Sequence, residues 1–285
     1  MTERLAEIGA RIDGMRQLGA VVNAMRGIAA ARAQRSRAES GAVEAFSALV
    51  ADAIGQVLAL RRNDEAYARG SGTARQALVA FCAEQGFAGA FSEHVLDIVR
   101  TDFPAAELYL VGTRGLALAT EQGLAATLHA AMPARSVDIS RLADHIAEAL
   151  YEDMATGEVD RIDVVFNRWE PGHGVRVDRR RLFPLDPACF RRPGEAGTPL
   201  LQLTPEALLV ELTGSYVHAQ LCDAALHAFV AENEARMAAM AAAHGEVDRH
   251  LAELQALQRV VRQEEITAEI IELVGGRFSD RGKSR

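Results

Sequence analysis

The chain has 285 residues, enough for one large domain or two smaller ones, and its 49% hydrophobic and 25% charged fractions are those of an ordinary soluble globular protein. Its net charge of −8, from 31 basic and 39 acidic residues, argues against a dedicated nucleic-acid binder. Aromatic residues are only 5%, and alanine takes their place, which favours helices that approach one another closely.

At the N-terminus, Thr2 is placed to cap a first helix, with Glu3 in its first turn suiting the dipole. Apolar residues follow at Leu5, Ile8, Ile12, Met15, Leu18, Val22, Met25 and Ala29, then resume at Phe46, Val50, Ala53, Val57 and Leu60. Steps of three and four stack such residues on one helical face. No proline occurs before Pro104, so residues 3–60 read as one helix of roughly 85 Å at the standard rise. Two ordinary bundle helices fit the periodicity as well. Six glycines (Gly9, Gly14, Gly19, Gly27, Gly41, Gly55) weaken a single helix by about 1 kcal/mol each relative to alanine, so the long helix needs a partner packed along its glycine-bearing seam. The opening stretch has no continuous apolar core, so it is not a secretory signal, and no run approaches the length of a membrane span.

Residues 61–74 are polar and glycine-bearing, a linker. Beyond it the pattern changes to short apolar runs at Ala77–Cys82 and Glu107–Val111, a strong strand at Ile162–Trp169 and an alternating neighbour at Val175–Leu182. Helical patterns lie between, near Ser92–Arg100, Thr113–Gln122 and Ile139–Ala155. Strands alternating with helices predict an α/β layer with a largely parallel sheet over residues 75–183. Five prolines in residues 184–205 mark a connector. After Pro205 no proline interrupts the chain, and Leu208, Leu212, Ala219, Cys222, Leu226, Phe229, Met240, Val247, Leu251, Leu254, Leu257 and Val261 keep the helical interval. That C-terminal helix, residues 206–276, reaches roughly 100 Å, longer than any domain this chain can build, so it must lie against something else. The predicted order is helix, α/β insert, helix, with both ends contributing to one rod.

Chemistry is sparse. Cys82, Cys189 and Cys222 are odd in number and far apart, which suits reduced cytosolic thiols rather than disulfides or zinc. Gly86-Phe87-Ala88-Gly89 follows a predicted strand but lacks the third glycine of a dinucleotide loop and the Gly-Lys-Ser/Thr of a phosphate loop. Gly112-Thr113-Arg114-Gly115 has the form of a phosphate-wrapping turn, and a helix start capped by Thr113 explains it equally well. Asp144-His145 and Glu264-Glu265 are helical neighbours that diverge, and His244 and His250 are six apart, the wrong interval for two metal ligands on one face. No nucleophile elbow or HExxH motif occurs. No catalytic, cofactor or metal site is expected.

The two helical ends carry a resemblance. The stretch ENEARMAAMAAAHGEVDRHLAELQALQRVVRQEEITAEIIELVGG resembles the gamma subunit of F-type ATP synthases, matching that family's Arg-Met-x-Ala-Met at Arg236, Met237 and Met240. It also matches the later Arg-Gln-x-x-Ile-Thr-x-Glu at Arg262, Gln263, Ile266, Thr267 and Glu269, with Glu272 and Gly275 beyond. NAMRGIAAAR resembles the family's N-terminal motif at Ala24, Met25, Arg26, its alanines and Arg32. QGFAGAFSE keeps Gly86, Gly89 and Phe91 of the family's glycine-bearing loop, and Glu107-Leu108-Tyr109 with Gly112 and Gly115 follow in order. Departures at Val21, Val22, Asn23, Gln258, Arg259, Val260, Ala88 and Ala90 point to a divergent branch, such as the subunit of a second, ion-variant rotary ATPase.

The resemblance implies a long antiparallel coiled coil of the N- and C-terminal helices with a Rossmann-like α/β domain inserted. It also implies the role of a central rotor that has no active site of its own. Alpha and beta subunits would surround the rod, and the epsilon subunit and c-subunit ring would meet the α/β base. The assembly would sit on the cytoplasmic face of a bacterial inner membrane. Met25, Arg26, Arg236, Arg262, Gln263, Thr267 and Glu269 would be the partner contacts. Ala268, Ile270, Ile271, Leu273 and Val274 would suit a bearing surface near the tip. Two other readings remain open: a homodimeric coiled-coil scaffold with an α/β sensor insert, and a nucleotide-dependent α/β enzyme with helical arms.

Overall fold

A computed structural model describes residues 2–60, 75–103, 105–190 and 200–282, with side chains within residues 3–272 of those spans. The expected linker 61–74, Pro193 and Pro199 of the connector, and the side chains of Thr2, Leu273 and Val274 lie outside the described residues. In chain order the elements are α1 (Thr2–Leu60), β1 (Arg75–Phe81), α2 (Phe91–Asp102), β2 (Ala106–Val111), α3 (Thr113–Glu121) and β3 (Leu128–Ala130). Then come α4 (Ile139–Ala155), β4 (Val159–Glu170), β5 (Gly174–Phe183) and α5 (Pro205–Gly282). The chain forms two units, Met1–Ile28 with Met237–Arg285, and Ala29–Arg236.

In the first unit the opening of α1 packs against the end of α5. Ile8, Ile12 and Val261 form a buried cluster flanked by Leu5, Leu251 and Leu254. Arg4 approaches Glu264 at 4.0 Å, and a Cβ placed on Gly19 would lie 3.2 Å from Val247 Cγ1. Partners on α5 fall in number as those on α1 rise, so the pair is antiparallel. The seam departs from the predicted stripe in two places: Leu18 is 48% and Leu257 40% exposed. Gly19 faces α5 where Leu18 was expected, because the run 8, 12, 15, 19, 22 keeps to one face and residue 18 falls beside it. The glycines are a second correction. Gly9, Gly14, Gly27 and Gly41 face open space, and of these and Gly19 it is Gly19 that permits a close approach.

The second unit is built on a sheet in the order β3-β2-β1-β4-β5. Its first four strands run parallel, with Val79 opposite Tyr109 on one side and Val164 on the other, and β5 returns antiparallel to β4. Alternate residues of β1 feed two cores. Ala77, Val79 and Phe81 join α4 and the Val217–Phe229 stretch of α5, whereas Leu78, Ala80 and Cys82 join α2. Both faces are covered, which is why β1 and β2 read as apolar runs without alternation. The edge strand β5 carries Arg176, Arg179 and Arg181 exposed, a charged border that discourages pairing with another chain.

Helix α5 starts at Pro205, a favoured first position, with the Thr204 hydroxyl accepting from the Ala207 N–H at 3.3 Å. Its first turns bury Leu209 against Val50, Ile54, Val57 and Leu58 of α1. One 18-residue window of α1 has a mean hydropathy of 1.6, enough by length and composition to cross a membrane, contrary to the expectation of no such run. Val50, Ile54, Val57 and Leu58 show how α1 reaches that value: they pack into the protein's own core.

Candidate functional site

The turn after β1 and the start of α3 are where an α/β layer of this order would take a phosphate. Here the place is filled from within. Glu84 Oε2 accepts the backbone N–H of Thr113 at 2.9 Å and of Met132 at 2.9 Å, and Glu84 Oε1 accepts the Thr113 hydroxyl at 2.8 Å. A carboxylate thus supplies an anion to the first amide of α3, that of Thr113, and to the Met132 amide beyond β3. Thr113 is the first helical residue and caps nothing; it was expected as the cap, and it donates to Glu84 instead. Gly112 has φ 111°, and a Cβ there would lie 2.5 Å from Cys82 O, while one on Gly115 would lie 2.1 Å from Cys82 Cβ. Gly112 and Gly115 therefore serve a helix–strand approach.

The loop 84–89 is held by α5. Glu232 accepts the backbone N–H groups of Glu84 at 3.2 Å and Gln85 at 3.3 Å, and Arg236 donates to Gly86 O at 3.3 Å. Glu232 and Arg236 also pair with each other, and both are buried, at 4% and 5% exposure. Ionised groups in such a place are stable only when paired and hydrogen-bonded, as these are. Arg37 of α1 adds a tie, pairing with Glu234 and lying 4.2 Å from the Trp169 ring centre.

Other groupings of reactive side chains are structural. Cys222 Sγ lies 3.9 Å from both ring nitrogens of His218, whose Nε2 is 3.0 Å from Asp144. The order resembles a cysteine–histidine–acid triad, but burial, with Asp144 and Asp223 nearby, pushes the Cys222 thiol up to about 12, so it remains protonated and unreactive. Cys82 is pushed to about 12 by burial as well. His244 pairs with Asp248 at 3.0 Å, and His250 lies 3.1 Å from Glu246, surface contacts of one helix. A cavity of about 540 Å³ between α4, β4, β5 and α5 is lined by apolar groups such as Met154, Ile162, Phe183 and Val210 together with Glu211, Thr213 and Ser215, whose two hydroxyls donate to the Leu209 and Glu211 carbonyls of their own helix.

The seven residues expected to touch partners separate into two groups. Arg26, Arg262, Gln263, Thr267 and Glu269 are exposed, and Met25 is half-buried; all six lie in the unit of paired helix ends. Arg26 is held by Asn23 Oδ1 at 2.9 Å, and the Thr267 hydroxyl donates to the Gln263 backbone carbonyl at 2.8 Å. Arg236 stands apart, buried in the other unit on the 84–89 loop. Ile270 and Ile271 are 55% and 66% exposed, an apolar surface at the end of α5. Sequence reasoning missed the roles of Glu84 and Glu232. Glu232 and Arg236, four apart inside an apolar helix face, were a signal of a buried pair; nothing local marked Glu84, whose partners come from α3 and the segment after β3.

Comparison with known proteins matches these features over nearly the whole chain. A family model described as ATP synthase matches residues 4–278. The ATP synthase gamma chain of Clavibacter michiganensis subsp. michiganensis is 28% identical over 272 residues, covering 90% of this chain and 91% of that one. The gamma chain of Chlorobium luteolum is 25% identical, covering 95% and 97%. Among solved structures, a chain of the Euglena gracilis mitochondrial ATP synthase, in its OSCP/F1/c-ring assembly, shares the fold at TM-score 0.67 and 14% identity, covering 100% of this chain and 97% of that one. With its α/β insert, its motifs and nearly all of both helical ends inside the matched span, the chain belongs to the ATP synthase family.

Proposed function

We propose that this chain is the central rotor shaft of an F-type ATP synthase, coupling ion flow through a membrane sector to ATP synthesis or hydrolysis by asymmetric contacts. The observation that carries this reading is the pair of unequal antiparallel helix ends, exposing Arg26, Arg262, Gln263, Thr267 and Glu269, in a chain matched to the family over residues 4–278. Two unequal helices present a different face in each direction. A ring of three alpha/beta pairs around them would feel a different contact at each station, and only such a difference shifts a conformational equilibrium. Moving one catalytic subunit from about 1:99 to 99:1 between two forms needs roughly 5.5 kcal/mol of differential binding. A few charge-assisted hydrogen bonds at about 1.5–3 kcal/mol each are sufficient. The exposed arginines and carboxylates of the helix ends are groups of that kind, and Met25 lies beside Arg26.

In this reading segments 1–60 and 206–276 form the shaft, and 75–183 forms a base that meets the epsilon subunit and the c ring. Solved central-stalk and c-ring assemblies that share the fold support that placement. Arg236 acts from inside, fixing the 84–89 loop to α5 so that the base turns with the helix. The chain is non-catalytic and translocates nothing itself; either protons or sodium ions would serve, bound elsewhere in the complex. Its place is peripheral, on the cytoplasmic face of the bacterial inner membrane.

Reconstitution with alpha and beta subunits tests this. Adding the chain should raise and regulate their ATPase activity, and unchanged activity would overturn the rotor reading. Replacing Arg262 and Gln263 together by alanine should weaken assembly or coupling several-fold while the chain keeps its helix content.

A further inference from the structure

Beside the sheet, α5 carries an ionisable side chain with a divided allegiance. His227 Nε2 lies 2.8 Å from Arg168 Nη2, 3.3 Å from Asp223 Oδ1 and 3.9 Å from Glu44 Oε1. Its ring stacks on Phe166, with centres 6.0 Å apart and planes 18° apart, so the imidazole is held in place while its partners compete for one atom. The surrounding elements supply the charges. Arg168 and Phe166 come from β4, Arg180 from β5, Asp223 from α5 itself and Glu44 from α1. Arg180 pairs with Asp223 Oδ2 at 2.7 Å and with Asp178 at 3.3 Å. Asp223 Oδ1 is buried without a hydrogen-bond partner, and so is Arg168 Nε.

An arginine only donates, so the 2.8 Å contact from Arg168 requires an unprotonated Nε2, with the ring proton on Nδ1. Once protonated, the ring can give its Nε2 proton only to a carboxylate, and two face it. Asp223 Oδ1 is the nearer, and it is buried without a hydrogen-bond partner. The donor atoms of Glu44, Asp223 and His227 lie within 4.8 Å of one another, a spacing that also suits a cation. The guanidinium groups of Arg168 and Arg180 already supply positive charge there, so a dication is disfavoured and a single proton is the better fit.

We propose that His227 is a proton-operated changeover contact: unprotonated it accepts from Arg168 and ties α5 to β4, and protonated it donates to Asp223 or Glu44 and releases Arg168. Acidification thereby exchanges a bond between α5 and the sheet for one among helical carboxylates, altering how firmly α5 is held beside β4. Histidine is the side chain whose ordinary protonation range lies between about pH 5 and 8, which sets the window of the test.

The test is nitrogen-15 NMR of the full chain labelled at histidine, titrated from about pH 8 to pH 5, with His227→Gln identifying the signal. At the alkaline end Nε2 should resonate as an unprotonated acceptor, and on acidification it should become an imidazolium. Arg168→Gln should raise the titration midpoint by about half a pH unit or more, since a neighbouring cation opposes protonation. Glu44→Gln, at an exposed position that leaves folding intact, should lower it. A proton on Nε2 at pH 8, or midpoints that neither variant moves, would overturn the proposal. So would selective broadening of the His227 signal by micromolar Mn²⁺, which would make the cluster a metal site.

Discussion

At the scale of single residues, Asp163 is the plainest case of charge organising structure. Its side chain is 3% exposed and receives Arg161 at 2.7 Å and Arg179 at 2.8 Å, while Arg179 also reaches Asp102 at 2.6 Å. Burial raises the pKa of such a carboxyl, but the two guanidinium groups outweigh it and hold Asp163 below the ordinary carboxylate range. A folded-state value below the unfolded one means that the stabilisation is present above the ordinary carboxylate pKa and disappears as pH falls through the lower value. Asp163→Asn should therefore lower unfolding free energy by about 1–3 kcal/mol at pH 7, with the gap to the parent protein closing below about pH 4. Urea denaturation at both pH values measures it. Tyr109 behaves differently: burial first, and then its bond to Asp153, push the phenol far up, so it stays neutral and acts as a fixed donor under the sheet.

At the scale of elements, much was legible from spacing alone. The interval of apolar residues predicts α4 at Ile139–Ala155, and the helix has those bounds. The strands at 77–82, 107–111, 162–169 and 175–182 all appear within a few residues of expectation. The short strand β3 was missed because Leu128–Ala130 is too brief to show a period and is fixed by pairing with Tyr109–Val111. The stripe of α1 slipped at Leu18 and at Phe46, each 48% exposed, because small neighbours occupy the buried positions: Gly19 faces Val247, and Ser47 receives a bond from Gln220 at 2.6 Å. A hydrophobicity scale gives little weight to glycine or serine, so that seam is readable only from the partner helix. The two glycine environments separate in a direct experiment. Gly14→Ala, facing open space, should stabilise the full chain by up to about 1 kcal/mol. Gly19→Ala, with Val247 Cγ1 3.2 Å away, should gain less or lose stability. Thermal unfolding of the two variants side by side decides it.

At the scale of the molecule, family membership over residues 4–278 and the antiparallel helix ends agree with the resemblance in the motifs, while the nucleotide-dependent alternative meets an internal obstacle. A chain that used nucleotide as ligand should be stabilised by it: at a hundred times the dissociation constant the gain is about 2.7 kcal/mol. The full chain should instead keep its melting temperature in millimolar Mg-ATP, and a rise of several degrees would restore the enzyme reading. Gly112 and Gly115 could be read as a phosphate turn or as a packing turn, and only the distance to Cys82 separates the two. The residues proposed to face partners are marked by motif rather than by pattern, since Arg262 and Gln263 look like any solvated helix face.

The Glu84 carboxylate, seated on the Thr113 and Met132 amides, makes the insert its own counter-ion. A part that turns among sites charged with fuel has reason to be blind to that fuel. With those two amides already engaged, a diffusing phosphate finds no free N–H at Thr113 or Met132 to hold it.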